Sequence, residues 1–307
     1  MVAKIVVAGS FNMDLTAYMQ RLPRLGETLH GRHFATGPGG KGSNQAVAAA
    51  RLNADVTFIG RVGVDMFGDS AVAIWEQEGI NTRYVYRDPE HPTGVAPIWV
   101  EDPTGHNAIV VVLGANLALS RDDIDASAEA IARADFLVTQ LEIHLETSAH
   151  ALRLARQSGV RTILNPAPAA ALPEEMLANV DILTPNESEL EALSRRSLDD
   201  VVGAARTLIT REDQTVVVTL GDKGAQIVTL SDSVHVPPFR VDVVDTTGAG
   251  DAFSGALATA LAEGSTMPEA VRFANAAAAL CCTRPGTSVS MARRAEVDAL
   301  LAAQPPA

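Results

Sequence analysis

Short, largely apolar runs recur along the chain at residues 5–8, 56–59, 136–139, 162–164, 182–183 and 216–220, each followed by small or polar residues. Strands covered on both faces read this way, because neither face is left for water. Between these runs lie Ala- and Leu-rich stretches, 43–52, 69–78, 121–132, 147–157 and 198–209, which the pattern assigns to helices. The alternation predicts an α/β fold with a mainly parallel central sheet between helical layers. In such sheets ligands bind beyond the carboxyl ends of the strands, so the loops there should carry the chemistry.

Two segments break the rhythm. Residues 15–36 hold Pro23, Gly26 and Gly31 among short mixed runs, and residues 93–113 alternate apolar and polar positions around Asp102, Pro103, Thr104 and Gly105. The second is a hairpin signal. Together they predict a small antiparallel sheet beside the main one, with a face that needs a cover. Near the carboxyl end, 249–263 and a helix running to Cys282 are expected, the latter opened by a capping box of Thr266 and Glu269 with Pro268 in its first turn.

Charge narrows the function. The 24 Lys and Arg are outnumbered by 37 Asp and Glu, a net charge of -13, which argues against nucleic acid and anionic membrane as partners. Any phosphate must be held by backbone amides, a metal ion or single basic side chains. The segment from Met1 to Ala8 is too short for the apolar region of a signal peptide, so a cytoplasmic location is expected. The two cysteines, Cys281 and Cys282, are adjacent; they offer neither an ordinary disulfide nor a metal pattern, and are expected to be buried packing residues. The seven histidines lack zinc-motif spacing.

The strongest chemical signal is Asp245-Thr246-Thr247-Gly248-Ala249-Gly250-Asp251, between an apolar run and a long helix. Glycines at 248 and 250 permit a tight turn whose amides face outward at a helix amino terminus, an anion hole without a basic side chain. Asp251 in that first turn is placed to take a proton from a hydroxyl attacking phosphorus. Taken alone, the same residues also describe a capped helix start.

A second glycine cluster, Gly37 to Asn44, fits neither common nucleotide loop: it lacks the acidic partner of a dinucleotide fingerprint, and Lys41 is followed by Gly42 rather than Ser or Thr. It reads as a loop lying close to a polar ligand, with Lys41 and Asn44 as hydrogen-bonding groups, or as a surface turn. Asn12 and Asp14 follow the first strand and alternate, a pair suited to sugar hydroxyls, although taken alone a solvated loop accounts for them better, and the same holds for Glu142. Thr184 with Glu187 reads as a capping box, and Asn186 with Glu189, three apart, as a pair able to hold metal-bound water or phosphate. Thr219 to Gly224 is a strand end entering a turn.

In order and spacing these motifs resemble the ribokinase family of carbohydrate kinases along nearly the whole chain. The residues that carry the resemblance are Asn12, Met13 and Asp14; Gly39 to Asn44; Gln140 to Glu142; Asn165 to Pro168; Asn186 with Glu189; Thr219 to Gly224; Asp245 to Asp251; and Asn275 with Thr283, Arg284 and Gly286. The resemblance implies one three-layer kinase domain over 1–307, with a small β-sheet lid from about 15–36 and 93–113 that also pairs two subunits into a homodimer. It implies ATP and a small sugar as substrates, D-ribose phosphorylated at its 5-hydroxyl being the best match, with deoxyribose, another sugar or a nucleoside as alternative acceptors and a sensor without turnover as a further one. It assigns Asp251 as base, the amides of Gly248, Ala249, Gly250 and Asp251 as anion hole, and Asn12, Asp14, Gly40, Lys41, Gly42, Ser43, Asn44 and Glu142 to the sugar. Nucleotide positions are Asn186, Thr219, Leu220, Gly221, Asp222, Lys223, Gly224, Gly250, Asp251 and Asn275. Magnesium is implied near Asn186 and Glu189, and an activating potassium ion at Asp245, Thr247, Ser290 and the carbonyls of Cys281, Arg284 and Gly286.

Overall fold

The computed structural model describes residues 2–102 and 104–305; Met1 and Pro103, which enter the readings above, lie outside the described residues. Among the described residues thirteen strands form two sheets: β1 Lys4–Ala8, β2 Asn12–Met19, β3 His33–Gly39, β4 Asp55–Gly63, β5 Asn81–Asp88, β6 Gly94–Glu101, β7 Asn107–Ile109, β8 Phe136–Thr139, β9 Arg161–Leu164, β10 Ile182–Leu183, β11 Thr215–Thr219, β12 Ala225–Val228 and β13 Ser233–Val236. The helices are α1 Lys41–Arg51, α2 Met66–Gln77, α3 Arg121–Ala126, α4 Ala128–Ala132, α5 Leu145–Gln157, α6 Glu174–Leu177, α7 Glu187–Ser194, α8 Val201–Arg206, α9 Ala249–Ala262, α10 Met267–Cys281 and α11 Arg294–Ala303.

The large sheet runs β13-β12-β11-β10-β9-β8-β1-β4-β5. From β5 to β11 it is parallel, and β12 and β13 return antiparallel at one edge. Val7 in β1 lies opposite both Phe58 and Val138, so the central strands are flanked on each side by apolar partners. Alternate residues feed two separate cores: Ile5 and Val7 pack with α1, α9 and α10, whereas Val6 and Ala8 pack with α5 and α8. That is why the runs lack polar positions: each strand has two apolar faces to fill.

The small sheet, β3-β2-β6-β7, draws on both irregular segments but is mixed rather than antiparallel: β2 and β6 come from separate segments and run parallel, while β3 and β7 pair antiparallel at the two edges. It begins earlier than the pattern predicts, since β2 opens at Asn12; Asn12 and Asp14 are strand residues rather than part of a solvated loop. Other expectations shift as well. The 121–132 helix breaks at Ser127, whose hydroxyl donates back to Asp123 O, giving α3 and α4. The 198–209 stretch is a 3-10 turn, Leu198–Asp200, followed by α8. The edge strands β5, with its charged and aromatic residues, and β13 escaped the apolar-run criterion because an edge strand has one open side; β12, paired on both sides, is a four-residue strand interrupted by Gln226. Among the described residues no helix is long and apolar enough to cross a membrane.

Candidate active site

The expected residues gather at the carboxyl ends of β1, β8, β9, β10 and β11. Ser10, Glu142, Asn165 and Thr184 lie within a few residues of those ends, and Thr219 closes β11 beside Asn186. The 39–42 segment is drawn down onto the loop after β1, with Ser43 N donating to Ser10 O at 2.8 Å. Gly40 caps α1 at φ 86°, and a Cβ there would lie 2.6 Å from Asn12 N, so only glycine lets the two loops touch.

Asp251 is buried in the first turn of α9, capped by Gly248 at φ 81°. Its Oδ2 accepts from Asn44 Nδ2 at 2.9 Å and its Oδ1 from Gln45 Nε2 at 3.0 Å. Both amides are themselves oriented: Ser288 Oγ donates to Asn44 Oδ1 at 2.5 Å, and Gln140 Nε2 to Gln45 Oε1 at 2.6 Å. With each amide oxygen already accepting, the amide N–H groups point at the carboxylate, which is left to act as acceptor. The helices approach closely enough for this because Gly255, one turn beyond Asp251, has no side chain; a Cβ would sit 2.6 Å from Gln45 O. Within the glycine turn, Ala249 N donates to Thr246 O at 3.3 Å, while the amides of Gly248, Gly250 and Asp251 have no partner among the described residues. The free donors at this helix start are thus Gly248, Gly250 and Asp251, with Ala249 alone of the 248–251 set spent within the turn and the helix dipole behind them.

On one side of Asp251 lie the residues assigned to a sugar. Glu142 Oε2 accepts from Ser10 Oγ at 2.5 Å, Lys41 N at 2.9 Å and Asn12 Nδ2 at 3.4 Å. Asp14 Oδ2 accepts from Thr287 Oγ1 at 3.1 Å. Burial drives the Asp14 carboxyl up to about 6, opposed by the Thr287 hydrogen bond and helped by the negative charges of Glu142 and Asp251. Burial pulls the half-buried Lys41 ammonium down, but Asp251, Glu142 and Glu189 outweigh it and hold the group above its ordinary value. Asn44 and Ser43 are buried; Ser43 Oγ is turned away, accepting from Trp75 Nε1 at 2.9 Å, so its side chain serves the core and not the site.

On the other side opens a cavity of about 930 Å³ lined by Asn186, Thr219, Gly221, Asp222, Gly224, Gly250, Phe253 and Asn275, with Val241, Val243 and Ala279 among its apolar walls. Its size and mixed lining suit a nucleotide. Three expected members, Leu220, Lys223 and Asp251, do not line it, Asp251 being turned to α1 by its two amide contacts. Leu220 packs into the second core, and Lys223 pairs with Glu187 at 3.5 Å. Asn275 is present, but its Nδ2 is spent on Pro237 O at 3.1 Å and Val236 O at 3.3 Å, holding the cavity rim. The helix-start box is corrected too: α7 is capped by Asn186 with Glu189, not Thr184 with Glu187. Asn186 N and Nδ2 each donate to the Glu189 carboxylate at 2.9 Å, so the pair is mutually satisfied. Burial raises the Glu189 carboxyl, Asp251 adds to the rise, and Asn186 and Lys41 oppose it.

The expected cation residues converge behind the glycine turn. Asp245 Oδ2 accepts from Gly286 N at 3.0 Å, Asp245 Oδ1 from Thr247 N at 2.9 Å, and Ser290 Oγ lies 3.0 Å from Cys281 Sγ. Arg284 turns its side chain outward to Glu296, leaving its main chain at the loop. Cys281 is buried, with its thiol pushed up to about 11, chiefly by that burial; Cys282 is half-exposed and lines the nucleotide-sized cavity, so only the first is the packing residue expected of both.

Five residues that the motifs did not flag complete the site: Ser10, Gln45, Asn116, Thr287 and Ser288. Gln45 carried a legible signal, a long polar side chain in an Ala-rich helix that is buried along most of its length. The others carried none, since isolated hydroxyls and amides in loops have no period.

Comparisons with known proteins give the family. Residues 2–294 match the model of the pfkB family carbohydrate kinases. The chain is 42% identical over 290 residues to the deoxyribokinase of Salmonella typhi, covering 93% of this chain and 94% of that one. It is also 42% identical over 296 residues to the ribokinase of Mus musculus, covering 94% and 91%. Among solved structures, the ribokinase of Arabidopsis thaliana complexed with ribose and ATP superposes with a TM-score of 0.89 at 33% identity, over 98% of this chain and 99% of that one. The ribokinase of Thermotoga maritima gives 0.90 at 38% identity, over 98% and 100%. With a carboxylate and free amides between a polar cleft and a nucleotide-sized cavity, and a family match along almost its full length, the chain belongs to the pfkB family of carbohydrate kinases, as a ribokinase-type member.

Proposed function

We propose that the protein transfers the γ-phosphoryl group of MgATP to the 5-hydroxyl of D-ribose. The observation that carries this reading is the position of Asp251, gripped on both oxygens by α1 amides and lying between the hydroxyl-binding cleft and the cavity. The 5-oxygen attacks the γ-phosphorus as its proton passes to Asp251, the bond to the bridging oxygen breaks, and ADP departs with that electron pair. The unpartnered amides of Gly250 and Asp251 meet the charge on the transferring group. Magnesium would neutralise phosphate charge on the bound ATP; Glu189, buried and electrostatically coupled to Lys41 and Asp251, with Asn186 beside it, is the carboxylate that would hold it.

A potassium ion fits the loop behind the turn, because its donors there are hard oxygens: the Asp245 carboxylate, the Ser290 hydroxyl and main-chain carbonyls. Such an ion would neutralise Asp245 and steady the turn that carries the free amides. The lid role of the small sheet and a homodimer built on it complete the reading. Its support is the row of exposed apolar residues Val110, Val111 and Val112 beside β7, with Phe34 on β3, which need a cover.

A 2-deoxyribose acceptor is the second reading, favoured by the deoxyribokinase relative at 42% identity. Purified protein assayed for ADP release with potassium, MgATP and a panel of ribose, 2-deoxyribose, fructose and adenosine separates the two. Ribose should exceed 2-deoxyribose in kcat/KM by roughly 10- to 100-fold, since a buried polar group left without its hydroxyl is costly. A preference for 2-deoxyribose would transfer the assignment, and silence toward every acceptor would sink the kinase reading.

A further inference from the structure

Asn116 sits in the 3-10 turn Gly114–Ala118 and is buried. Its Oδ1 accepts from Phe11 N at 2.9 Å, and its Nδ2 donates to Phe11 O at 2.8 Å, so it pairs with Phe11 as a neighbouring strand would. The second Nδ2 hydrogen goes to Asn12 Oδ1 at 3.0 Å. An amide has one oxygen and one NH2, so occupying the oxygen of Asn12 decides which end faces the cleft. The Nδ2 of Asn12 is the end left over, and it points toward Glu142 Oε2 at 3.4 Å. Gly94 makes room for this pairing, as a Cβ there would fall 2.2 Å from Asn12 Oδ1 and 2.4 Å from Asn116 Nδ2.

We propose that Asn116 is a positioning residue for the acceptor sugar: it fixes the Asn12 amide with its NH2 toward the cleft, so that the sugar hydroxyl lodged there accepts from Asn12 while donating to a carboxylate beside it. The inference rests on the sugar-kinase reading of the cleft. It gives the site a polarity: Asn12 supplies a donor, and Glu142 and Asp14 supply acceptors, a combination that a hydroxyl satisfies and a methylene does not. Asn116 touches no substrate in this scheme and acts through Asn12 alone.

The test is a double-mutant cycle of Asn116→Ala with Asn12→Ala, using whichever pentose the wild-type enzyme turns over best. Asn116→Ala should raise KM for the pentose about 10- to 100-fold, with KM for ATP near the wild-type value. In the Asn12→Ala background the same change should move the pentose KM by less than about twofold, because the amide it orients is gone. Equal effects in the two backgrounds, a parallel rise in KM for ATP, or an unchanged pentose KM would overturn the proposal. If Asn116→Ala does not fold, Asn116→Asp keeps the shape while removing both donors and is run through the same cycle. Failure of both to fold assigns the residue a structural role and also overturns it. An inactive wild type, by contrast, marks failure of the kinase reading itself.

Discussion

Asn44 Nδ2 donates to Asp251 Oδ2 across 2.9 Å, although 207 positions separate the two residues in the chain. With Gln45 on the other oxygen, the carboxylate is held by α1 while its own main chain belongs to α9. The reacting group is thus fixed by the contact between two helices, and that contact depends on Gly255.

Asp251→Asn should lower kcat by about 10²- to 10⁴-fold, the usual weight of a general base. The amide keeps the shape of the turn, so the ATP dissociation constant, measured by calorimetry, should change little. Turnover at the wild-type rate would remove Asp251 from that role.

Gln45→Leu should cost kcat while sparing KM for ATP. It leaves Gln140 Nε2 without its acceptor and one Asp251 oxygen without its donor. Each buried loss is worth about 1–3 kcal/mol, so denaturant unfolding should show a stability drop of that order alongside the kinetic defect. A kinetic defect without any loss of stability would contradict the buried chain of amides.

Asp14 makes the apo protein pH-sensitive. Its folded value of about 6 lies above the ordinary 3.8, so its contribution to stability is full below about 4 and is lost as pH rises through 6. Asp14→Asn should therefore be more stable than wild type above pH 6, by at most about 3 kcal/mol, with the advantage shrinking on acidification toward pH 4. For the wild type, kcat/KM for the sugar should fall as pH drops below about 6, as the proton takes the lone pair offered to a hydroxyl. Thermal melts and initial rates from pH 4 to 8 check both signs.

Replacing potassium by tetramethylammonium should lower kcat several-fold, because the bulky ion cannot enter among the oxygens near Asp245. Asp245→Ala should abolish that cation dependence. Indifference of the wild type to the exchange would remove the cation site.

The sequence alone determined the layered α/β architecture, since strands 5–8 and 136–139 have two faces to bury and advertise it as unbroken apolar runs. It also placed Asp251 and the glycines of its turn at a helix start, because that chemistry is local: a positive φ, a free amide and a carboxylate within four residues. Asn12 and Asp14 were legible as candidates but not as strand residues, since β2 gains its hydrogen bonds from β3 and β6, which lie far along the chain. Only the tertiary structure could show that Leu220 and Lys223 do not line the cavity, that Asn186 and Glu189 satisfy each other, and that Gln45, Asn116 and Ser288 orient the groups that act. The physical reason is the same in each case. A period in the sequence records which faces are buried, whereas the direction of a hydrogen bond depends on a partner that folding alone brings within 3 Å.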